Sequence, residues 1–173
     1  LETAHKIKTI IFDKTGTLTK GKPEVTDVVV EKARYQKFFD GKQKTAKNLI
    51  SSLLSLAASV EKNSEHPLGE AIVNKALEEK LSLSKVERFK SITGKGVEGQ
   101  VAGKKVYVGK LLNGQFIKED ERLKNQGKTV VYVYVEDKLV GLIAVADTVK
   151  ETAGEAVQQL QKLGINVFMI TGD

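Results

Sequence analysis

Cysteine and tryptophan are absent from this chain of 173 residues, and proline occurs only twice. Without thiols there is no disulfide framework, no thiolate metal site and no cysteine nucleophile, and such usage fits a reducing compartment. Long apolar runs are lacking too. The longest, Leu139 to Ala146, is strand-sized and contains Gly141, well short of the roughly 20 residues that cross a bilayer as a helix. The N-terminus shows no basic-then-apolar pattern of a secretion signal. What is present is globular in character, with 40% hydrophobic and 29% charged residues. That is too apolar for disorder and long enough for one domain or two small ones. Lys plus Arg number 28 against 22 Asp plus Glu, a net charge of +6. The lysines alternate with glutamates and the aromatics make no basic stacking pattern, so no nucleic acid is expected, and a phosphorylated small molecule is the better partner.

Periodicity divides the chain into two styles. Ile7 to Phe12 is a β-branched run expected as a buried strand, and it leads directly into the Gly-, Thr- and Lys-rich stretch Asp13 to Lys22. After Pro23 comes a second apolar run, Val25 to Val30, then a charged segment to Lys47 that reads as a surface connection. Helical spacing of Leu49, Leu53, Ala57 and Val60 predicts a helix over 44–61, and a second helix starts at Pro67, where proline suits the first turn. The middle switches to short strands, Phe89 to Thr93, Gly96 to Val101 and Lys105 to Gly109, with Ala102-Gly103 as a hairpin turn. A short helix from Ile117 to Asn125 precedes two further strands, Thr129 to Val135 and Leu139 to Val145. At the end, Thr148 and Glu151 have capping-box spacing. Val149, Ala153, Ala156, Val157, Leu160 and Leu163 form one helical face, Gly164 stops the helix, and Ile165 to Ile170 is an expected buried strand.

The expected fold is therefore α/β, with one Rossmann-like domain built from 1–23 and 143–173. It is interrupted at 24–142 by an α+β insert carrying an antiparallel sheet. Ligands of parallel sheets bind at the carboxyl ends of the strands. Both outer strands end there in an aspartate, Asp13 and Asp173, with Thr15 and Thr171 as neighbouring hydroxyl donors. A carboxylate in that position, followed by Gly and several hydroxyls, can attack phosphorus and ligate Mg²⁺. A loop-capping Asp is the plainer alternative.

The seven residues Asp13-Lys14-Thr15-Gly16-Thr17-Leu18-Thr19 resemble, position for position, the phosphorylation motif of P-type ATPases. Gly21-Lys22-Pro23 follows as in heavy-metal-transporting members, and Thr171-Gly172-Asp173 is similar to the second phosphorylation-domain motif. Ser64-Glu65-His66-Pro67-Leu68 resembles the histidine-proline signature of the metal-transporting branch, copper pumps especially. The resemblance implies that the outer domain is a haloacid dehalogenase-like phosphorylation domain and the insert a nucleotide-binding domain. It implies Asp13 as the phosphorylated nucleophile, with Lys14, Thr15, Thr171, Gly172 and Asp173 around it, and Mg²⁺ on Asp13 and the main-chain carbonyl of Thr15. Phosphatases of the wider superfamily carry a second Asp two residues after the nucleophile as general acid and base. Thr15 stands there in this chain and cannot activate water at neutral pH, so a stable phosphoaspartate is expected.

Gly94-Lys95-Gly96-Val97-Glu98-Gly99 fits a dinucleotide fingerprint in letters only, because a strand pattern follows it instead of a helix. Gly127-Lys128-Thr129 likewise lacks the upstream glycine of a P-loop. Gly94 and Gly96 read as a bulged hairpin on local grounds; the resemblance implies that their backbone approaches the nucleotide. It also implies that His66, locally a histidine near a helix start, orients adenine, with Glu61 on the amino edge. Copper pumps show Gly-Asn after the strand that here ends in Gly109-Lys110, so Lys110 offers a cation to a phosphate where the family has an Asn near the ribose. Asp147-Thr148-Val149-Lys150 resembles a hinge-proximal family segment, which leaves Asp147 as hinge residue, contact for Mg-ATP, or cap of the last helix.

The resemblance implies ATP and Mg²⁺ as cofactors and a pump at the cytosolic face of a membrane. Its membrane helices, its actuator domain and a late Gly-Asp-Gly-x-Asn-Asp segment are not in these 173 residues. The expectation is a soluble cytosolic part of such a pump, with the phosphorylation domain cut at Asp173, inactive in transport alone and able to self-associate through its open sheet. A stand-alone Mg²⁺-dependent phosphatase and a non-catalytic nucleotide-binding module are the alternatives.

Overall fold

A computed structural model describes residues 7–39, 45–112 and 118–170. By compactness the chain forms two units, one from 1–23 with 147–173 and the other from 24–146.

The second unit is built on a six-stranded sheet in the order β2-β7-β6-β5-β4-β3. Its strands are β2 (Thr19–Val30), β3 (Val86–Ile92), β4 (Gly96–Val101), β5 (Lys104–Gly109), β6 (Thr129–Val135) and β7 (Lys138–Val149). Neighbours from β3 to β7 run antiparallel, as expected. Alternation along β6 separates the two faces. Val131, Val133 and Val135 pack with the helices α2 (Ala46–Glu61) and α3 (Pro67–Glu78), whereas Tyr132 and Tyr134 join Leu123 of α4 (Glu119–Asn125). The register between β6 and β7 slips after Val133, which pairs with Gly141 while Tyr134 pairs with Leu139. This bulge lets Leu139 and Leu142 face one side and Val140 and Ile143 the other.

Both central helices follow their sequence signals. The hydroxyl of Thr45 accepts from the Asn48 amide at 3.3 Å to cap α2, and Leu49, Leu53, Ala57 and Val60 are all buried. Pro67 opens α3 in the first turn. The segment after β2 is not a plain connection: α1 (Lys32–Phe38) buries Tyr35, which stacks on Phe39 at 4.9 Å. A helix of two turns with one buried residue leaves too short a pattern to show periodicity. The expected start of α4 at Ile117 lies outside the described residues.

In the first unit, β1 (Thr9–Asp13) and β8 (Asn166–Ile170) pair in parallel, with Asp13 in register with Ile170, and α5 (Ala153–Lys162) precedes β8. Three expectations fail here. Neither strand is buried throughout: Ile11, Phe168, Met169 and Ile170 are each more than half exposed, because two strands and one helix cannot cover both faces. The Thr148 and Glu151 pair makes no capping box, since β7 runs on through Val149 and Thr152 occupies the N-cap without a side-chain bond. Of the expected apolar face only Ala153 is buried, while Val149 and Leu163 are exposed. Gly164 does end the helix, at φ +76°.

Candidate functional site

Two places gather the chemistry, one in each unit. In the first, β1 delivers Asp13 to an exposed position at its carboxyl end, and the chain then turns sharply. Thr15 (φ −77°, ψ 122°) and Gly16 (φ 77°, ψ −16°) have the dihedrals of the central residues of a type II turn, which needs glycine second. Thr19, buried, closes this loop: its hydroxyl accepts from the Gly16 amide at 3.1 Å and shares its proton between the Lys14 carbonyl at 2.9 Å and Asp147 Oδ2 at 2.5 Å. Asp147 Oδ1 also accepts from the Gly21 amide at 2.9 Å. Lys150 adds two bonds, from Nζ to the Gly16 carbonyl at 2.8 Å and from its amide to the Leu18 carbonyl at 2.9 Å. Asp147 thus anchors the loop that follows Asp13, and the cap of α5 falls to Thr152 instead. The aspartate and lysine of that segment are visible in sequence; that they hold the 16–21 loop, Asp147 through Thr19 and Gly21 and Lys150 through Gly16 and Leu18, is not. Thr171, Gly172 and Asp173 lie outside the described residues.

The second place is a cleft of about 290 Å³ in the other unit. It brings together all six residues expected of the nucleotide site, Glu61, His66, Gly94, Gly96, Gly109 and Lys110. Glu61 closes α2, and His66 is the N-cap of α3, its Nδ1 accepting from the Leu68 amide at 3.2 Å. The capping role and the cleft role coexist, because the cap uses Nδ1 and leaves Nε2 and the ring face. Gly96 and Gly109 are register partners across β4 and β5, and a methyl on Gly96 would meet Gly109 Cα at 2.6 Å. Gly94 has φ +71° and open space above it. The glycines serve two ends: the Gly96–Gly109 pair lets two backbones touch, and Gly94 leaves the cleft floor clear.

Apolar side chains, Leu68, Ile92, Val97, Val130 and Val131, supply most of the wall, with hydroxyls from Ser64, Ser91, Thr93 and Thr129. Sequence reasoning passed over Thr129, which belongs to the Gly127-Lys128-Thr129 stretch set aside as a failed P-loop. That stretch has another use, since Lys128 Nζ bonds Asp27 at 2.6 Å and Thr129 begins β6 at the cleft. Tyr107 ties the two glycine strands together, its hydroxyl reaching the carbonyls of Lys95 at 2.9 Å and Lys110 at 3.2 Å. Burial pushes the Glu61 carboxyl from its ordinary 4.5 to about 7, opposed by the Ser64 hydroxyl. Such a cleft, mostly apolar with a few polar groups, suits a nucleobase.

The model of the haloacid dehalogenase-like hydrolases matches residues 7–173. Among curated proteins, the copper-exporting P-type ATPase of Bacillus subtilis is 39% identical over 181 residues, covering 100% of this chain and 21% of that protein. A protein of Alkalihalophilus pseudofirmus named "probable cadmium-transporting ATPase" is 43% identical over 187 residues, covering 100% of this chain and 24% of its own length. Among solved structures, a zinc-transporting PIB-type ATPase in its E2.Pi state superposes with a TM-score of 0.85 at 35% identity, over 99% of this chain and 27% of that one. The chain thus spans about a fifth to a quarter of the length of these relatives.

Proposed function

The chain belongs to the haloacid dehalogenase-like hydrolase family, and on that premise we propose that it is the ATP-binding and phosphorylation part of a heavy-metal-translocating P-type ATPase. Residues 1–23 with 147–173 form its phosphorylation part and 24–146 its nucleotide-binding part. ATP held in the Glu61–His66–Gly94 cleft phosphorylates Asp13, and the whole pump uses that intermediate to move its ion. Copper is favoured by the Ser64 to Leu68 signature; relatives named for copper, cadmium and zinc all share this region. What supports this reading is that the separated motif residues Glu61, His66, Gly94, Gly96, Gly109 and Lys110 line one cleft of about 290 Å³.

In the transfer, a carboxylate oxygen of Asp13 attacks the γ-phosphorus, a new P–O bond forms, and the bond to the β,γ-bridging oxygen breaks so that ADP leaves. Lys14, Thr15 and the turn amides steady the phosphoryl oxygens; the resemblance assigns Thr171, Gly172 and Asp173 to the same reaction. Thr15 offers no base to activate water, which preserves the acyl phosphate. The donor set fits Mg²⁺: Asp13 gives a carboxylate and Thr15 a carbonyl, both hard oxygens, and among the described residues no cluster of three His, Asp or Glu forms a dedicated cage. Bound there, Mg²⁺ would neutralise phosphoryl charge. The remaining partners are the membrane, actuator and further phosphorylation-domain segments of the pump, placing this part at the cytosolic face; among the described residues no helix is long and apolar enough to cross a membrane.

Titration with ATP while following backbone amide shifts tests the assignment. Perturbation should centre on Glu61, His66, Gly94, Gly96, Gly109 and Lys110. Shifts confined to 7–23 and 147–170 would sink it.

A further inference from the structure

Glu61 stands in the wall of the cleft with 6% of its surface exposed. Ser64 lies beside the carboxyl as a donor, and the first turn of α3 passes so close that a methyl on Gly69 would collide with Oε2 and sit 3.1 Å from Cδ. The titratable groups around it are His66 on α3, with Nδ1 engaged by the helix cap, and Tyr107 on β5, with its phenol engaged by two carbonyls. Lys95 and Lys110 line the same cleft, and Glu98 on β4 pairs with Lys105 at 3.7 Å. Burial is the main influence on Glu61, with the Ser64 hydroxyl opposing it. Burial already pushes the carboxyl up to about 7, and a base covering the cleft would strip its remaining water, raising the cost of a charge there further.

The base has its own demand. Adenine presents a donor, the 6-amino group, next to an acceptor, ring N1. An ionised carboxylate only accepts, so one oxygen takes the amino proton while the other faces the N1 lone pair. A neutral carboxyl matches both. Guanine presents two adjacent donors, which an ionised carboxylate matches instead.

We propose that Glu61 reads the base as a neutral carboxylic acid, its hydroxyl donating to adenine N1 and its carbonyl accepting from the 6-amino group, so that binding an adenine nucleotide takes up a proton. This rests on the nucleotide reading of the cleft and adds the protonation state that selects the base.

Calorimetric titration of the chain with ATP at about pH 8, in two buffers of different ionisation enthalpy, counts the protons exchanged. At that pH ATP is fully ionised and free Glu61 mostly so. The expected result is uptake approaching one proton per ATP, with affinity falling about tenfold per pH unit above the midpoint of Glu61. Glu61→Gln keeps a donor and an acceptor in the same positions. It should bind ATP without proton uptake and, at about pH 8, roughly tenfold more tightly than the parent, while GTP binds it less well than ATP. Proton release, no net exchange, or loss of ATP binding by a folded Glu61→Gln overturns the neutral-acid reading while the cleft assignment stands. Absence of ATP binding at every pH overturns both.

Discussion

The carboxylate of Asp147 holds Thr19: Oδ2 lies 2.5 Å from the threonine hydroxyl, across a separation of 128 residues, while Oδ1 takes the Gly21 amide at 2.9 Å. One side chain therefore closes the loop that begins at Asp13. Asp147→Ala leaves the buried Thr19 hydroxyl and the Gly21 amide without that acceptor, which should cost about 1–3 kcal/mol. Hydrogen exchange at Gly21 should quicken in Asp147→Ala and less in Asp147→Asn, which keeps one acceptor oxygen. Unchanged exchange in both would mean the clamp contributes nothing.

Thr15 in the position of a general base predicts poor phosphatase chemistry. Hydrolysis of a generic phosphomonoester by the chain with Mg²⁺ should stay at background. Fast turnover that disappears in Asp13→Asn would favour a stand-alone phosphatase instead.

Burial of Glu61 also makes stability depend on pH. Its folded value near 7 lies above the ordinary 4.5, so its contribution is fully present below the unfolded value and is lost as pH rises through the folded one. Wild type should lose on the order of 3 kcal/mol between about pH 4 and about pH 8 from this group. Glu61→Gln should not show that loss. Urea midpoints measured across the range give the comparison, and parallel curves would contradict it.

Lys110 lines the cleft, at the position where the resemblance to copper pumps implies an asparagine. If it meets a phosphate, Lys110→Ala should weaken ATP several-fold, equivalent to about 1 kcal/mol, and leave adenosine unchanged. Equal losses for both ligands would instead put the lysine beside the base or sugar.

The two central glycines should respond differently to alanine. In Gly96→Ala the methyl meets backbone of β5, so β4 and β5 must separate, at a cost above about 2 kcal/mol. Gly94→Ala has room and suffers only from its positive φ, roughly 1 kcal/mol. Thermal melts of the pair would show whether that order holds.

Much of this protein is written locally. Leu49, Leu53, Ala57 and Val60 at helical spacing, Pro67 at a helix start, Gly164 at a helix end and the Ala102-Gly103 turn all depend on a few neighbouring residues, and all appear where periodicity and turn chemistry put them. That Glu61, His66, Gly94, Gly96, Gly109 and Lys110 share one cleft agrees with the resemblance that singled them out. Other features depend on what lies across space. The α1 helix rests on Tyr35 finding a place in the core, and β8 is exposed because no layer covers its second face, although Ile165 to Ile170 reads as a core strand. The raised value of Glu61 comes from walls contributed by α3 and the sheet, and the Asp147–Thr19 clamp from two distant segments meeting. Local sequence determines the elements and the chemical groups they carry; burial and long-range partnership, which set charge state and anchoring, are decided only when the tertiary structure removes water and brings those groups together.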